Sequence, residues 1–279
     1  MTDVPRSVVI TGASRGLGRS LALSLQAYGF RVFAGVRTEA DAAVLSREGL
    51  VPVQLDVRDP GSVATAVTTV TRAMGDQGLA GLVNNAGVLL MGPVEQTPLA
   101  AIEDLFQVNF LGPISMIQQF LPLLRKARGR IVNISSVNGR LAFPLGGVYS
   151  ASKFALEALT DALRVELRPW GIAVSLVEPG VTTSEIRVRA LEHWVRRHAA
   201  LPPAERALYE VLFQRFQVML GQLESTAAGP EDVSQAVVHA LTAELPDTRY
   251  LAGPDTAQWM ELAARSDSQR DDAFAQMLS

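Results

Sequence analysis

The stretch SVVITGASRGLG, residues 7–18, decides the fold. Its first half, SVVIT (7–11), is short, apolar and β-branched, as a strand buried on both faces is. Its second half, TGASRGLG (11–18), sets Gly12, Gly16 and Gly18 between that strand and a helix-periodic segment over 17–29. Glycines permit a tight turn and a close approach of phosphate to backbone. The helix start then offers free N–H groups and the positive end of its dipole. Strand before and helix after is the context in which such a glycine triplet signals a dinucleotide. Without a ligand, the same turn is an ordinary strand–helix connection. Ser14, Arg15 and Leu17 complete the turn and join the three glycines as candidate cofactor contacts.

The same alternation runs along the chain. Short apolar runs fall at RVFAG (31–35), VPVQL (51–55), GLVNN (81–85), RIVNIS (130–135), IAVSLVE (172–178) and RYLAG (249–253). Helix-length segments with 3.6-residue periodicity lie between them, among them 17–29, 60–74 and 99–125. Repeated strand–helix units predict an α/β, doubly wound, mainly seven-stranded parallel sheet, with residues 1–279 as a single catalytic domain. Residues 184–224 break the rhythm, with two helix-like stretches, no strand, and LPP (201–203) between them. An insertion after strand six lies at the carboxyl edge of the sheet, where ligands bind in such folds. It reads as a helical substrate lid, or as a hairpin that only packs on the domain.

Composition narrows the function. The chain has 279 residues, 48% of them hydrophobic, and a net charge of −3, so a sizeable core is affordable and no basic excess points to nucleic acid. With no cysteine there is no disulfide, iron–sulfur cluster or thiol nucleophile. His193, His198 and His239 lack metal-ligand spacing, so no metal is expected. The start MTDVPRS precedes the first strand without an h-region, so neither a signal peptide nor a membrane anchor is expected. The uncharged run 107–124 contains Asn109, Gly112 and Pro113, and reads as a buried helix rather than a span. A cytoplasmic location is the expectation.

The ends of the strands carry the remaining cofactor signals. An acidic residue after strand two would bind a ribose 2′-hydroxyl, whereas an arginine accommodates a 2′-phosphate. Here Val36 takes the acidic place and Arg37 follows, with Arg15 as a second positive contact, which favours NADP(H). Glu39 close by keeps NAD(H) possible, and Arg37 as a plain surface residue is the alternative. LDV (55–57) closes strand three, with Asp56 placed to accept from an adenine amino group and Val57 beside it. NNAG (84–87) closes strand four, and its small residues Asn85, Ala86 and Gly87 let a ribose lie on the backbone.

The chain has two lysines, Lys126 and Lys153, and the second follows Tyr149 by four residues, one helical turn. A phenol ordinarily titrates near 10, too high for proton transfer at neutral pH. A nearby ammonium favours the phenolate and lowers that value. The pair therefore suits general acid/base work on an alcohol or carbonyl oxygen. Ser136, at the end of RIVNISS (130–136), is a candidate donor to that oxygen if the loop 137–147 folds back. Asn109, inside an otherwise apolar helix, needs partners. It holds either a water that relays protons from Lys153 or a bent stretch of helix backbone.

TGASRGLG, NNAG, Asn109, Ser136, YSASK (149–153) and EPGVT (178–182), in this order and with Ser136 thirteen residues before Tyr149, resemble the short-chain dehydrogenase/reductase family. The resemblance covers about residues 7–183 well. It implies Tyr149 as acid/base, with Lys153 lowering its pKa and binding the nicotinamide ribose. It further implies Ser136 polarising the substrate oxygen, Asn109 completing a proton relay, and Pro179, Gly180, Val181 and Thr182 lining the nicotinamide. AGVRTEAD (34–41) and the long insertion look most like the hydroxysteroid and retinol dehydrogenase branch. That implies a bulky apolar ketone, aldehyde or secondary alcohol, with Leu141, Phe143 and Val181 as candidate wall residues beside Ser136 and Tyr149. A 3-oxoacyl-thioester reductase and a non-catalytic NADP(H)-binding sensor are the competing readings. The family's habit further implies a homodimer or homotetramer paired through the helices around 99–125 and 149–169.

Overall fold

The computed structural model describes residues 6–182, 185–224 and 227–279. Seven strands form one parallel sheet: β1 (Ser7–Ile10), β2 (Arg31–Val36), β3 (Val51–Gln54), β4 (Gly81–Asn84), β5 (Arg130–Ile134), β6 (Ala173–Pro179) and β7 (Arg249–Ala252). Their order is β3-β2-β1-β4-β5-β6-β7, so the winding reverses between β1 and β4. Ligands bind at such a switch point, beyond the carboxyl ends of the strands.

Helices cover both faces, which is why the strands read as continuous apolar runs. They are α1 (Gly16–Ala27), α2 (Glu39–Arg47), α3 (Pro60–Met74), α4 (Leu99–Phe106), α5 (Gly112–Ala127), α6 (Gly147–Glu166), α7 (Glu185–Ala199), α8 (Pro203–Glu224), α9 (Glu231–Thr242), α10 (Thr256–Ala263) and α11 (Asp267–Met277). One apolar layer joins Leu21, Leu25 and Leu45 to Val233 and Val237. The opposite layer joins Val63, Val70, Phe120 and Leu124. Starts and stops follow local chemistry. Thr38 caps α2 through the Asp41 N–H, Asp59 caps α3 ahead of Pro60, and Gly75 ends α3 at φ +61°.

The expected helix over 99–125 runs from Leu99 to Ala127, but a single π-turn, Gln107–Leu111, interrupts it. Gly112 N–H reaches back five residues to the Gln107 carbonyl, and Asn109 sits buried in the turn. α6 is tied to the sheet by a buried amide chain. Asn84 Nδ2 donates to Asn133 Oδ1 at 2.8 Å, and Asn133 Nδ2 donates to Thr160 Oγ1 at 2.9 Å.

The expected insertion after strand six forms α7 and α8. Its core is Trp194, edge-on to Phe213 at 4.6 Å and to Phe216 at 5.5 Å. Three hydrogen bonds fasten the hairpin to the segment after β4. Arg197 donates to the Met91 carbonyl, Gln96 donates to the Glu205 carbonyl, and the Tyr209 hydroxyl donates to Glu95. Among the described residues, no helix is long and apolar enough to cross a membrane, and no cluster of His, Asp and Glu is arranged to hold a metal.

Candidate active site

One cleft of about 490 Å³ lies over the carboxyl ends of the strands, within the usual size range of ligand pockets. Its floor is the turn between β1 and α1. α1 has no side-chain cap and no acidic residue in its first turn, so its leading N–H groups and dipole face the cleft. The turn is compact. A Cβ at Gly12 would stand 2.9 Å from Ala86 Cα, and a Cβ at Gly18 would overlap the Gly12 carbonyl oxygen. Gly16, at φ +51°, has nothing within 4 Å of where its Cβ would be. Thr11 Oγ1 accepts the N–H groups of Asn85 and Ala86, at 3.0 and 2.9 Å, and so locks the ends of β1 and β4 together.

All the expected cofactor residues line this cleft: Gly12, Ser14, Arg15, Gly16, Leu17 and Gly18, then Arg37, Asp56 and Val57, then Asn85, Ala86 and Gly87, and at the far end Tyr149, Lys153, Pro179, Gly180, Val181 and Thr182. Asp56 has a partner that sequence reasoning missed. Arg58 donates to its carboxylate at 2.6 Å, holds it below the ordinary carboxylate range, and itself borders the cleft. The uncapped helix start, the glycine cradle and the basic pair Arg15 and Arg37 together fit the phosphates of a dinucleotide.

The catalytic candidates meet at the other end. The loop 137–147 does fold back: the Ser150 hydroxyl accepts from Asn138 Nδ2 at 3.2 Å and from the Phe143 N–H at 3.4 Å. Ser136 is thereby brought beside Tyr149, near enough to act on its phenol. Ser136 Oγ also accepts the Asn138 N–H at 3.1 Å. Lys153 is buried, with Nζ donating to the Ile134 carbonyl at 2.8 Å and lying 5.8 Å from the Tyr149 ring centre. Burial pushes Lys153 down to about 8, against the opposing charge of Glu157.

The tyrosine departs from the expectation. Burial pushes its phenol up to about 12, while the Ser136 hydrogen bond and the Arg187 charge pull it down. The direction is thus opposite to the fall that an adjacent ammonium suggested, and desolvation is its cause. In this state the phenol is a proton donor, already loaded at neutral pH.

Asn109 finds its side-chain partners outside its own helix, which neither of its two sequence readings named. Its Oδ1 accepts the Val88 N–H at 2.8 Å, and its Nδ2 donates to the Val88 carbonyl at 2.9 Å and to Ser152 Oγ at 3.1 Å. The side chain ties the segment after β4 to α6, with both amide hydrogens of Nδ2 in use.

Phe143 and Val181 line the cleft as expected. Leu141 does not. It is 2% exposed and packs with Trp259, Leu262 and Phe274, because α10 and α11 close over its side of the loop. The insertion supplies wall residues instead, including Ala190, Phe216, Met219 and Leu220. Sequence reasoning also missed Asp255. Its Oδ2 accepts the Val181 N–H at 2.9 Å and Trp259 Nε1 at 2.8 Å, which fixes the 179–182 segment. No local pattern marks it, since it lies 74 residues from Val181 in sequence.

Comparison with known proteins agrees with this geometry. The sequence model of the family described as short chain dehydrogenase matches residues 6–194. Retinol dehydrogenase 5 of Mus musculus is 40% identical over 257 residues, covering 89% of this chain and 80% of that protein. 17-beta-hydroxysteroid dehydrogenase type 6 of Bos taurus is 39% identical over 261 residues, with the same 89% and 80% coverage. A short chain dehydrogenase from Burkholderia cenocepacia, solved in complex with NADP, superposes with a TM-score of 0.74 at 28% identity, covering 100% of both chains.

Proposed function

The chain belongs to the short-chain dehydrogenase family, in its hydroxysteroid and retinol dehydrogenase branch, and from that premise we propose an NADP(H)-dependent oxidoreductase for an apolar ketone, aldehyde or secondary alcohol. One observation carries the reading. A single cleft joins the uncapped glycine turn of α1 to Tyr149, Lys153 and Ser136. Bound there, the nicotinamide supplies or accepts the hydride. The turn 12–18 would hold the phosphates at the helix start, with Arg37 beside the adenosine end and the segments 85–87 and 179–182 along the cofactor's length.

The side chains do the proton work. Tyr149 gives its phenolic proton to a carbonyl oxygen as that oxygen gains negative charge, and takes one back from an alcohol in the reverse direction. Ser136, buried beside it, holds the same oxygen by a hydrogen bond. Lys153 places a positive charge beside the phenol and stabilises it once deprotonated. The apolar wall from α7 and α8 excludes water and supports an apolar substrate.

The test is a fluorescence titration of NADPH and of NADH against wild type and Arg37→Ala. NADPH binding at least about tenfold tighter, a margin of about 1.4 kcal/mol that the variant loses, supports the NADP(H) reading. Equal binding of both cofactors removes the phosphate role of Arg37. Binding of neither removes the oxidoreductase reading for this chain.

A further inference from the structure

Two buried glutamates lie behind Lys153, and the proposed reaction does not use them. α6 carries Tyr149, Lys153, Glu157 and Asp161 at intervals of four, so they share one face. Glu157 is 5% exposed, and Glu178, next to Pro179 on β6, is 0% exposed. One guanidinium serves both. Arg249 Nε, from β7, lies 3.1 Å from Glu157 Oε2 and 3.1 Å from Glu178 Oε1. Its other arm reaches Asp161 at 2.7 Å, and Asp161 is also bound by Arg164. Arg140 faces Glu178 from the 137–140 turn at 3.6 Å. Lys153, Asp161 and Arg164 on α6, Arg140 on the turn and Arg249 on β7 are thus the charged groups around the pair.

The hydrogen bonding does not close if both groups are carboxylates. Glu157 Oε1 and Glu178 Oε2 accept no hydrogen bond, and Glu178 Oε1 faces only the Arg249 Nε–H that Glu157 Oε2 already accepts and the more distant Arg140. The two carboxyl groups are nevertheless neighbours, each with one oxygen 3.1 Å from the same Arg249 Nε. A proton on either one turns that contact into a hydrogen bond and removes one of two like charges from a dry site. We propose that Glu157 and Glu178 hold one proton between them at neutral pH, and that this proton sets the negative charge facing Lys153. Burial, with the Glu157 charge adding to it, raises Glu178 well above the ordinary carboxylate range. The Glu157 charge in turn holds Lys153 up against its own burial. When the pair gives up its proton, the added charge keeps Lys153 an ammonium to higher pH. The kinetic consequence rests on the oxidoreductase reading above; the proton itself does not.

The test is infrared spectroscopy of the full chain without cofactor, as a function of pH, on wild type, Glu178→Gln and Glu157→Gln. Wild type should show a carboxylic-acid carbonyl band at about pH 6, where an ordinary glutamate is ionised, and lose it on further alkalinisation. Glu178→Gln should lack the band there, and Glu157→Gln should lose it at lower pH than wild type. No band in wild type at about pH 6, or a band unchanged in both variants, overturns the proposal. Should Glu178→Gln fail to fold, wild type and Glu157→Gln decide it alone. In turnover, Glu178→Gln should match wild type within about twofold at pH 6 but fall several-fold behind it near pH 9, as Lys153 deprotonates earlier. Superimposable pH profiles overturn the link to Lys153. An infrared band as expected, in a chain that turns over no carbonyl with either cofactor, faults the oxidoreductase reading and leaves the shared proton standing.

Discussion

Tyr149 carries its proton at neutral pH, as any phenol does, and burial makes it harder still to remove. Tyr149→Phe should therefore lower kcat by about 10²–10⁴ while leaving the dissociation constant of the cofactor within about twofold, as steady-state kinetics and fluorescence titration would read. Lys153 has the opposite signature. Its value falls from 10.5 unfolded to about 8 folded, so between these limits the unfolded chain binds more protons. Stability should then rise with pH from about 8 toward 10 and should be flatter in Lys153→Met, as urea midpoints across that range would show. The Tyr149 and Lys153 pair was legible in the sequence because both lie on one helix at a fixed interval. The direction of the tyrosine's shift was not, because burial depends on residues brought in from β5, the 137–147 loop and α7. Asp255 and the Glu157–Glu178 pair were illegible for the same reason: their partners are distant in sequence, and a lone carboxylate has no periodicity.

Among the elements, strands and helices were legible because short continuous apolar runs alternate with longer 3.6-periodic segments, and the glycine turn because its flanks are local. The π-turn at Gln107–Leu111 was not, since one extra residue in a helix leaves no mark on composition. Its role is to carry Asn109 inward, where one amide makes three hydrogen bonds. Asn109→Ala leaves the Val88 N–H and carbonyl without those partners and should cost about 1–3 kcal/mol of stability by urea denaturation. The α7–α8 hairpin was visible as a break in rhythm, but which of its residues face the cleft depends on how Trp194 packs. Leu208 points outward at 67% exposure, whereas Phe216 is buried against Trp194 and borders the cleft. Phe216→Ala should raise KM for an apolar ketone more than it changes the NADPH dissociation constant, which separates a substrate wall from a mere packing element.

For the molecule as a whole, α4 to α6 leave an apolar surface that the single chain does not cover. Leu99, Phe154 and Val165 are 69%, 43% and 73% exposed, and Phe154 and Val165 lie on one face of α6. We propose that this face pairs two copies of the chain. Light scattering should give at least a dimer mass for wild type, and a monomer mass for Phe154→Asp combined with Val165→Asp; a monomeric wild type overturns the pairing. The sheet order was legible as a class from strand–helix alternation, whereas Leu141 shows what was not. The two C-terminal helices decide that it turns inward, away from the cleft. The distribution of amines has a use of its own. Nearly every basic side chain here is arginine, and of the two lysines Lys126 is exposed while Lys153 is enclosed with its Nζ on the Ile134 carbonyl. An amine-selective reagent therefore meets one open side-chain target and one sheltered one. The ratio of label on the two peptides is a built-in gauge of how far the cleft has opened or filled, readable by mass spectrometry without any engineered probe.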